Sequence, residues 1–301
     1  MSQTLHADVI VVGAGPAGAT AAATLAARGV RTLLVDRKRF PRDKPCGGGI
    51  RAGFAGRFPE AAAHLRARVP LHPVRRVWME APSGASVIAE LDRPLYLTFR
   101  RLEFDAALVD LARARGAEVQ EGVRVVGIAR TAGTVRIQRS GGTDLIARVV
   151  IGADGVNSVV AREVGLTAGL SESELALDTM EESPLADLAL ADMQTMYVAY
   201  GYKGRPGYAY AFPKAACIDA GVGYIQAYFK HTLRGAPYDH HRAFLEEAAA
   251  RGIVRGRSRQ ENFRAFRLPL AGPLARTASD HALVCGDAGG FVNAYTGEGI
   301  Y

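Results

Sequence analysis

At 301 residues, with 49% hydrophobic and 22% charged side chains, the chain has room for one large domain or two interlocked ones. No run approaches the roughly 18 consecutive apolar residues of a membrane span, and the apolar stretch near the start is only a strand long, without a basic leader or cleavage site, so no signal peptide is expected. The formal charge of +7 does not imply nucleic acid: five of the 37 basic residues are lysines and the others are arginines spread along the whole chain, a bias typical of coding composition. That charge leaves open attraction to an anionic diphosphate or to a phospholipid headgroup at the inner face of a membrane. Cys46, Cys217 and Cys285 form neither a CxxC pair nor an even set, which fits a reduced cytoplasmic protein without disulfides or a cysteine-zinc site.

Residues 8–36 predict a βαβ unit. Val9–Val12 reads as a parallel strand buried on both faces, because its apolar residues do not alternate. Gly13-Ala14-Gly15-Pro16-Ala17-Gly18 follows, then an alanine-rich helix over Ala17–Arg28 with Gly29 as its stop, and a second strand over Arg31–Val35 ending in Asp36. The glycines have separate tasks: Gly13 turns tightly, Gly15 admits a pyrophosphate, and Gly18 lets helix and strand pack closely. Unpaired N–H groups at the helix start face the phosphates, and Asp36 lies where a carboxylate accepts from ribose hydroxyls. That acid disfavours NADP at this turn. A glycine-rich turn before an ordinary helix would leave Asp36 unexplained.

Farther along, Phe104, Leu108 and Leu111, with Gly116 as stop, predict an amphipathic helix over 101–117. Strands are expected at Val123–Ile128 and Val135–Gln138, and Gly141-Gly142 turns the chain into Leu145–Ile151, which runs into Gly152-Ala153-Asp154-Gly155. Two inserts interrupt this scaffold. One carries strand candidates Val74–Met79 and Val87–Leu91; the other carries Thr195–Tyr200, Tyr208–Phe212 and Gly221–Tyr228. Together they predict an antiparallel sheet. Near the end, Ala282–Cys285 reads as a strand that delivers Asp287 of Gly286-Asp287-Ala288-Gly289-Gly290 to a ribityl or ribose hydroxyl. The two signatures together imply FAD.

The expected architecture is α/β: a Rossmann-like FAD-binding domain from 1–58, 100–175 and 273–301, interleaved with an antiparallel-sheet substrate domain from 59–99 and 176–272. Seven of the eleven tyrosines fall between 197 and 228, alternating along strands. A cavity wall for an apolar ligand and an ordinary sheet core predict the same pattern. His240-His241 has no carboxylate or thiol at metal spacing and reads as a solvated loop or helix start; no metal site is expected.

Five segments carry a family resemblance. They are Gly13–Gly18 with Asp36; Phe40-Pro41-Arg42-Asp43-Lys44-Pro45-Cys46-Gly47-Gly48-Gly49; Arg101-Leu102-Glu103-Phe104-Asp105; Ile151–Ser158; and Gly286–Phe291 continuing to Thr296-Gly297-Glu298-Gly299-Ile300. The chain resembles the geranylgeranyl reductase family, within the p-hydroxybenzoate hydroxylase-like FAD superfamily. The Cys46 stretch is the specific part; most of the others are shared across the superfamily. The family's Tyr-x-Trp-x-Phe-Pro segment corresponds to Tyr208-Ala209-Tyr210-Ala211-Phe212-Pro213, with Tyr210 where tryptophan is usual, a departure that bears on substrate rather than cofactor.

The resemblance implies that Gly13, Gly15, Ala17, Gly18 and Asp36 hold the ADP half of FAD. It places Cys46, Gly47 and Gly49 against the flavin and ribityl chain, Arg101 near the ribityl–phosphate region, Val125 near the adenine, and Asp154 and Asp287 in cofactor contact, with Asp287 accepting from a ribityl hydroxyl. It sets the backbone N–H groups of Gly299 and Ile300 at the flavin N1–O2 edge. Tyr208, Tyr210, Phe212 and Pro213 would line the substrate cavity, with Cys46 and Tyr208 as the catalytic candidates. Each has a plainer alternative. For Cys46 it is a small buried hydrophobe, for Arg101 an exposed helix-start residue, and for Asp154, on an equal footing with cofactor contact, a cap for the helix after its strand.

The implied activity is FAD-dependent saturation of isoprenoid C=C bonds, by hydride from reduced flavin N5 to one carbon and a proton to the other. An isoprenoid or lipid substrate would be held by apolar burial, at about 0.8 kcal/mol per CH₂. NAD(P)H or ferredoxin would be the electron donor, since no second GxGxxG is present. A monooxygenase or halogenase-like enzyme acting on an aromatic substrate is the alternative. Family members run on past the Gly-Glu-Gly-Ile segment into a long helix, which makes a C-terminally truncated, inactive fragment with weak FAD retention a third expectation.

Overall fold

The computed structural model describes residues 6–131 and 133–301, which form two compact units: residues 6–42, 102–131, 133–170 and 269–300 make the first, and 43–101 with 171–268 and Tyr301 make the second. The 43–58 stretch, assigned to the nucleotide scaffold on sequence, thus packs within the second unit. No helix among the described residues is long and apolar enough to cross a membrane.

The first unit is built on a sheet of eight strands among the described residues. At its centre Ala7–Val12 pairs in parallel with Leu145–Gly152 on one side and Thr32–Asp36 on the other. Ile10 and Val11 are fully buried there, which accounts for the absence of alternation. Ala282–Val284 adds in parallel beyond Leu145–Gly152. At the opposite side Glu118–Glu121 pairs in parallel with Thr32–Asp36, a strand whose acids gave no apolar signal. Thr134–Arg139 and Val125–Thr131 continue from Leu145–Gly152 as antiparallel strands. The helices Pro16–Ala26 and Arg101–Ala114 fall where the sequence predicts them, shortened at their ends.

The second unit centres on a seven-stranded sheet with the order Phe263–Pro269, Leu175–Pro184, Cys217–Ile225, Gly207–Pro213, Thr195–Tyr200, Arg76–Glu80, Ser86–Glu90. From Leu175–Pro184 onward in that order the pairs are antiparallel except where Thr195–Ala199 runs parallel to Arg76–Glu80, correcting the all-antiparallel expectation. Val74–Met79 is not one strand: His72–Val74 pairs with Tyr96–Thr98, and the chain changes sheets at Arg75, whose N–H shares the Gln194 carbonyl with that of Arg76. Gly221–Tyr228 is also corrected, since the strand ends at Ile225 and Tyr228 lies on the helix Gln226–His231.

One face of this sheet packs on the helix Pro237–Ala250: Tyr197, Ala209, Ala220, Val222 and Tyr224 meet Phe244, Leu245 and Ala248 in one apolar cluster. The helix start foreseen at His240-His241 is present, but the solvated environment is not. His241 is fully buried, with Nε2 3.1 Å from Glu181 Oε2.

Candidate functional site

In the first unit, the central strand delivers its chain to a turn that side chains cannot occupy. Gly13 has φ +101°, and a Cβ there would lie 2.3 Å from the Ala153 carbonyl oxygen. A Cβ on Gly18 would stand 1.8 Å from the Gly13 carbonyl oxygen. Both glycines are therefore demanded by backbone approach, as the spacing predicts. Ala14 N–H and Lys38 N–H each donate to the Asp36 carboxylate at 2.7 Å, fixing it at the tip of Thr32–Asp36 with lone pairs left for hydroxyl donors. Pro16 opens the helix, and its first N–H groups, which have no intrahelical partner, point back into the turn.

Arg42 joins this turn although the sequence expectations do not include it. Its guanidinium forms a 2.8 Å ion pair with the fully buried Asp105. Its Nη2 lies 3.8 Å from where a Cβ on Gly15 would stand. Its Nη1 is buried with no hydrogen-bond acceptor among the described residues. A buried guanidinium N–H without an acceptor, beside a phosphate turn, has the chemistry a pyrophosphate oxygen satisfies. The signal in the sequence was an arginine six residues after Asp36, indistinguishable there from its many exposed counterparts.

The distant carboxylate meets the same turn. Ala282–Val284 runs beside Leu145–Gly152, and Cys285 N–H donates to the Gly152 carbonyl at 2.9 Å. A Cβ on Gly286 would lie 2.8 Å from Ala17 Cβ, so the Gly286–Gly289 turn rests on the start of the Pro16–Ala26 helix. Asp287 is half-buried, and a Cβ on Gly299 would lie 3.4 Å from its Oδ1. Gly299 and Ile300 are half-buried in an irregular segment that follows a turn closed by Gly297 N–H to Asn293 carbonyl. The two end signatures thus adjoin within one unit, with a helix start, a guanidinium and two carboxylates converging, which fits an extended dinucleotide.

Val125 and Asp154 are placed differently. Val125 is 8% exposed and packs in the core with Val135 and Ile137. Asp154 accepts from Ser158 Oγ and from Val159 and Val160 N–H at the start of the helix Val159–Glu163, so capping accounts for both of its oxygens. Burial raises its pKa, and the Ser158 hydroxyl and those backbone donors work against the rise.

In the second unit, the face of the sheet opposite the Pro237–Ala250 helix gathers the other site residues. Cross-strand partners share a face, so Asp178, Gly223, Tyr208 and Tyr200 form one row; Met180, Gly221, Tyr210 and Val198 a second; and Glu182, Asp219 and Phe212 a third. The tyrosines therefore divide. Tyr197, Tyr202 and Tyr224 belong to the helix-covered core, whereas Tyr200, Tyr208 and Tyr210 lie on the other face. Tyr208 and Phe212 are half-buried, Tyr210 is 1% exposed, and Pro213 ends the strand buried, accepting at its carbonyl from Thr98 Oγ1.

The Cys46 segment lies on this face. A Cβ on Gly47 would stand 2.7 Å from the Phe212 ring and 3.5 Å from that of Tyr210. Cys46 is a half-buried free thiol whose Sγ accepts from Gly48 N–H at 3.4 Å, and its carbonyl accepts from Lys214 Nζ at 3.3 Å. Gly49 begins the short strand Gly49–Arg51, paired with Tyr96–Thr98. Arg101 is 4% exposed at the start of its helix, which removes the exposed-surface alternative. A separate cavity of about 560 Å³ in this unit opens beside Arg66, Arg93, Leu71 and Leu97; Tyr208, Tyr210, Phe212 and Pro213 do not line it.

A charged cluster absent from the sequence expectations completes the face. Lys214, 1% exposed, holds Glu182 at 2.5 Å and the fully buried Asp219 at 3.2 Å. Tyr210 donates to Asp178 Oδ2 at 3.1 Å. Burial disfavours the Lys214 ammonium, but Asp219 and Glu182 outweigh it and raise its pKa. Burial, reinforced by the Asp219 charge, pushes Asp178 up to about 7. Burial first, and then the Asp178 charge, raises the Tyr208 and Tyr210 phenols well above their ordinary value.

Comparison with known proteins agrees with this geometry. Residues 6–300 match the family described as FAD binding domain. The digeranylgeranylglycerophospholipid reductase of Methanosphaerula palustris is 31% identical over 98% of this chain and 72% of its own length; that of Methanothrix thermoacetophila is 30% identical, over 98% and 74%. Among solved structures, a geranylgeranyl bacteriochlorophyll reductase-like protein from Thermoplasma acidophilum superposes with a TM-score of 0.83 at 22% identity, covering 98% of this chain and 74% of that one. Halogenase PltM in complex with phloroglucinol and FAD superposes at 0.71 with 16% identity, over 95% and 65%, a more distant likeness of fold. The chain belongs to the FAD-binding-domain family and, within it, to the digeranylgeranylglycerophospholipid reductases: it is an FAD-dependent oxidoreductase of the geranylgeranyl reductase type.

Proposed function

We propose that this protein saturates carbon–carbon double bonds of a geranylgeranyl-type isoprenoid chain borne on a lipid. What carries the reading is the aromatic face of Tyr208, Tyr210 and Phe212 against the Cys46–Gly47 segment, in a chain whose relatives are named for reducing digeranylgeranylglycerophospholipid. FAD, once reduced by NAD(P)H or a ferredoxin-type donor, supplies a hydride. The protein's own residues bind and orient. Gly13, Gly15, Ala17, Gly18, Asp36 and Arg42 would hold the ADP half. Asp287, Gly299, Ile300 and Arg101 would serve the ribityl–flavin portion, and Cys46, Gly47 and Gly49 would face the flavin. Val125 is retained only as core packing near the adenine, and Asp154 as a cap.

An isoprenoid offers no polar handle, so its affinity must come from burial at about 0.8 kcal/mol per CH₂. The aromatic face suits that purpose, with Cys46 and Tyr208 as its reactive side chains. The excess of basic residues supports contact with an anionic lipid headgroup. Anaerobic mixing of the reduced flavoprotein with a geranylgeranyl lipid tests the reading: oxidised-flavin absorbance should return together with saturated product. If oxygen alone reoxidises the flavin, and an aromatic substrate accelerates NAD(P)H consumption, a monooxygenase or halogenase-like reaction replaces it.

A further inference from the structure

The buried acids of the aromatic face have no place in cofactor binding. Asp178 is 6% exposed and Asp219 fully buried, and each keeps one carboxylate oxygen, Oδ1, buried without a hydrogen bond among the described residues. Such oxygens are costly inside a protein unless one of them carries a proton. The glycines of the intervening strand are fitted to them. A Cβ on Gly221 would stand 2.9 Å from the Tyr210 hydroxyl, and a Cβ on Gly223 would stand 3.0 Å from Asp178 Oδ1. Gly223 is the cross-strand partner of both Asp178 and Tyr208. The free oxygen of Asp178 therefore lies over a residue with no side chain, in the row that continues to the half-buried Tyr208.

We infer that Asp178 is the proton store of this site, holding one proton at neutral pH and supplying it through Tyr208 to the carbon that does not receive the hydride. Tyr208 is the group that touches substrate; Asp178 acts behind it, held in place by Tyr210. The inference rests on the isoprenoid reading. In the step, the Tyr208 O–H bond breaks and a C–H bond forms using the alkene's π electrons, while the hydride from reduced FAD brings the electron pair for the other C–H bond. Asp178 then reprotonates Tyr208 and is left as a carboxylate. Water refills it through Glu182, which is 25% exposed and joins the cluster through Lys214.

The distribution of charge explains why Asp178, rather than Asp219, holds the proton. Burial pushes Asp219 up to about 7 as well, but the Lys214 ammonium directly against it works the other way and favours its ionised form. Asp178 has no cation in contact. It faces Asp219 on the adjoining strand and the phenols of Tyr208 and Tyr210 one strand beyond, Glu182 on its own strand, Tyr200 farther along its row, and Lys44 and Cys46 on the covering segment. Two buried carboxylates this close share one proton between them.

Infrared difference spectroscopy of the FAD-loaded protein, stepped through neutral pH, reads the store without any turnover. A protonated-carboxyl C=O band should disappear as the pH rises, be absent in Asp178→Asn, and persist to lower pH only in Asp219→Asn. No such band in the parent, or a band unchanged in Asp178→Asn, would overturn the assignment. The second measurement is anaerobic reoxidation of the reduced flavin by a geranylgeranyl lipid. Asp178→Asn and Tyr208→Phe should each slow it by about 100-fold at neutral pH, with their chemical reduction by dithionite unaltered. Parent-like rates in both variants overturn the donor role while leaving the isoprenoid reading intact. A parent that no alkene reoxidises, but that shows the band, removes the isoprenoid reading and the donor role with it.

Discussion

The phosphate turn of the first unit and the aromatic face of the second are both sites, built by opposite means. The turn is made of backbone: Gly13, Gly15 and Gly18 contribute by what they lack, and Asp36 is aimed by two main-chain N–H groups. The face is made of side chains, with Lys214, Asp219, Asp178 and Tyr210 positioning one another across three strands. A backbone site tolerates no added atoms but is indifferent to pH. A side-chain site accepts isosteric replacements and responds to every proton it exchanges.

That contrast is broken most directly at Gly18. With its Cβ forced to 1.8 Å from the Gly13 carbonyl oxygen, Gly18→Ala should cost about 3 kcal/mol or more and leave purified protein without flavin absorbance near 450 nm, a wavelength set by the cofactor. A yellow, parent-like Gly18→Ala would mean that the turn is not held by steric exclusion. The contrast is sharpened at Arg42, the one long side chain in the backbone site. Arg42→Met should weaken FAD by about 10- to 100-fold in a fluorescence titration and flatten the salt dependence of binding. Unchanged affinity would leave Arg42 as the partner of Asp105 alone. Removing the ion pair also destabilises the unit, so the titration belongs below the variant's melting range.

The smallest effect, and the one that separates the two kinds of site, is the response of Asp178 to pH. Its native pKa of about 7 lies above the ordinary carboxylate range, so the folded protein keeps a proton that the unfolded chain has already released. Stability from this group is present at acid pH and lost as the pH rises through about 7. Asp178→Asn keeps the acceptor for Tyr210 and removes the titration. Its Tm relative to the parent's should therefore rise as the pH climbs from the ordinary carboxylate range to about 7, and level off above that. A constant or shrinking difference over that climb in thermal melts would mean that Asp178 is ionised throughout.

The same contrast decides what was legible beforehand. The turn and Asp287 were visible because backbone sites demand glycine, and glycines at fixed spacing between a strand and a helix are rare by chance. Leu175–Pro184 escaped notice because Asp178, Glu181 and Glu182 interrupt its apolar residues, and acids in a strand ordinarily point to water. Their partners, Lys214, His241 and Asp219, come from other strands and a helix, so no local pattern could pair them. Tyrosine alternation marks strand at Tyr197, Tyr200, Tyr208, Tyr210 and Tyr224 but not at Tyr228, and because both faces of this sheet carry tyrosine only the register divides them. Asp154 had two readings of equal standing on sequence, and only the positions of Val159 and Val160 N–H favour the cap.

The parallel pairing of Arg76–Glu80 with Thr195–Ala199 has a consequence for biosynthesis. Arg76 also grips Asp192, 116 positions later, so the first insert completes its sheet only after the opening part of the second has left the ribosome. Until then Arg76–Glu80 has just one neighbour, the edge strand Ser86–Glu90, whose Val87 and Ile88 stay more than half exposed even in the finished fold. Nascent chains stalled before that point should be the ones that chaperones capture and that aggregate when translation outruns them.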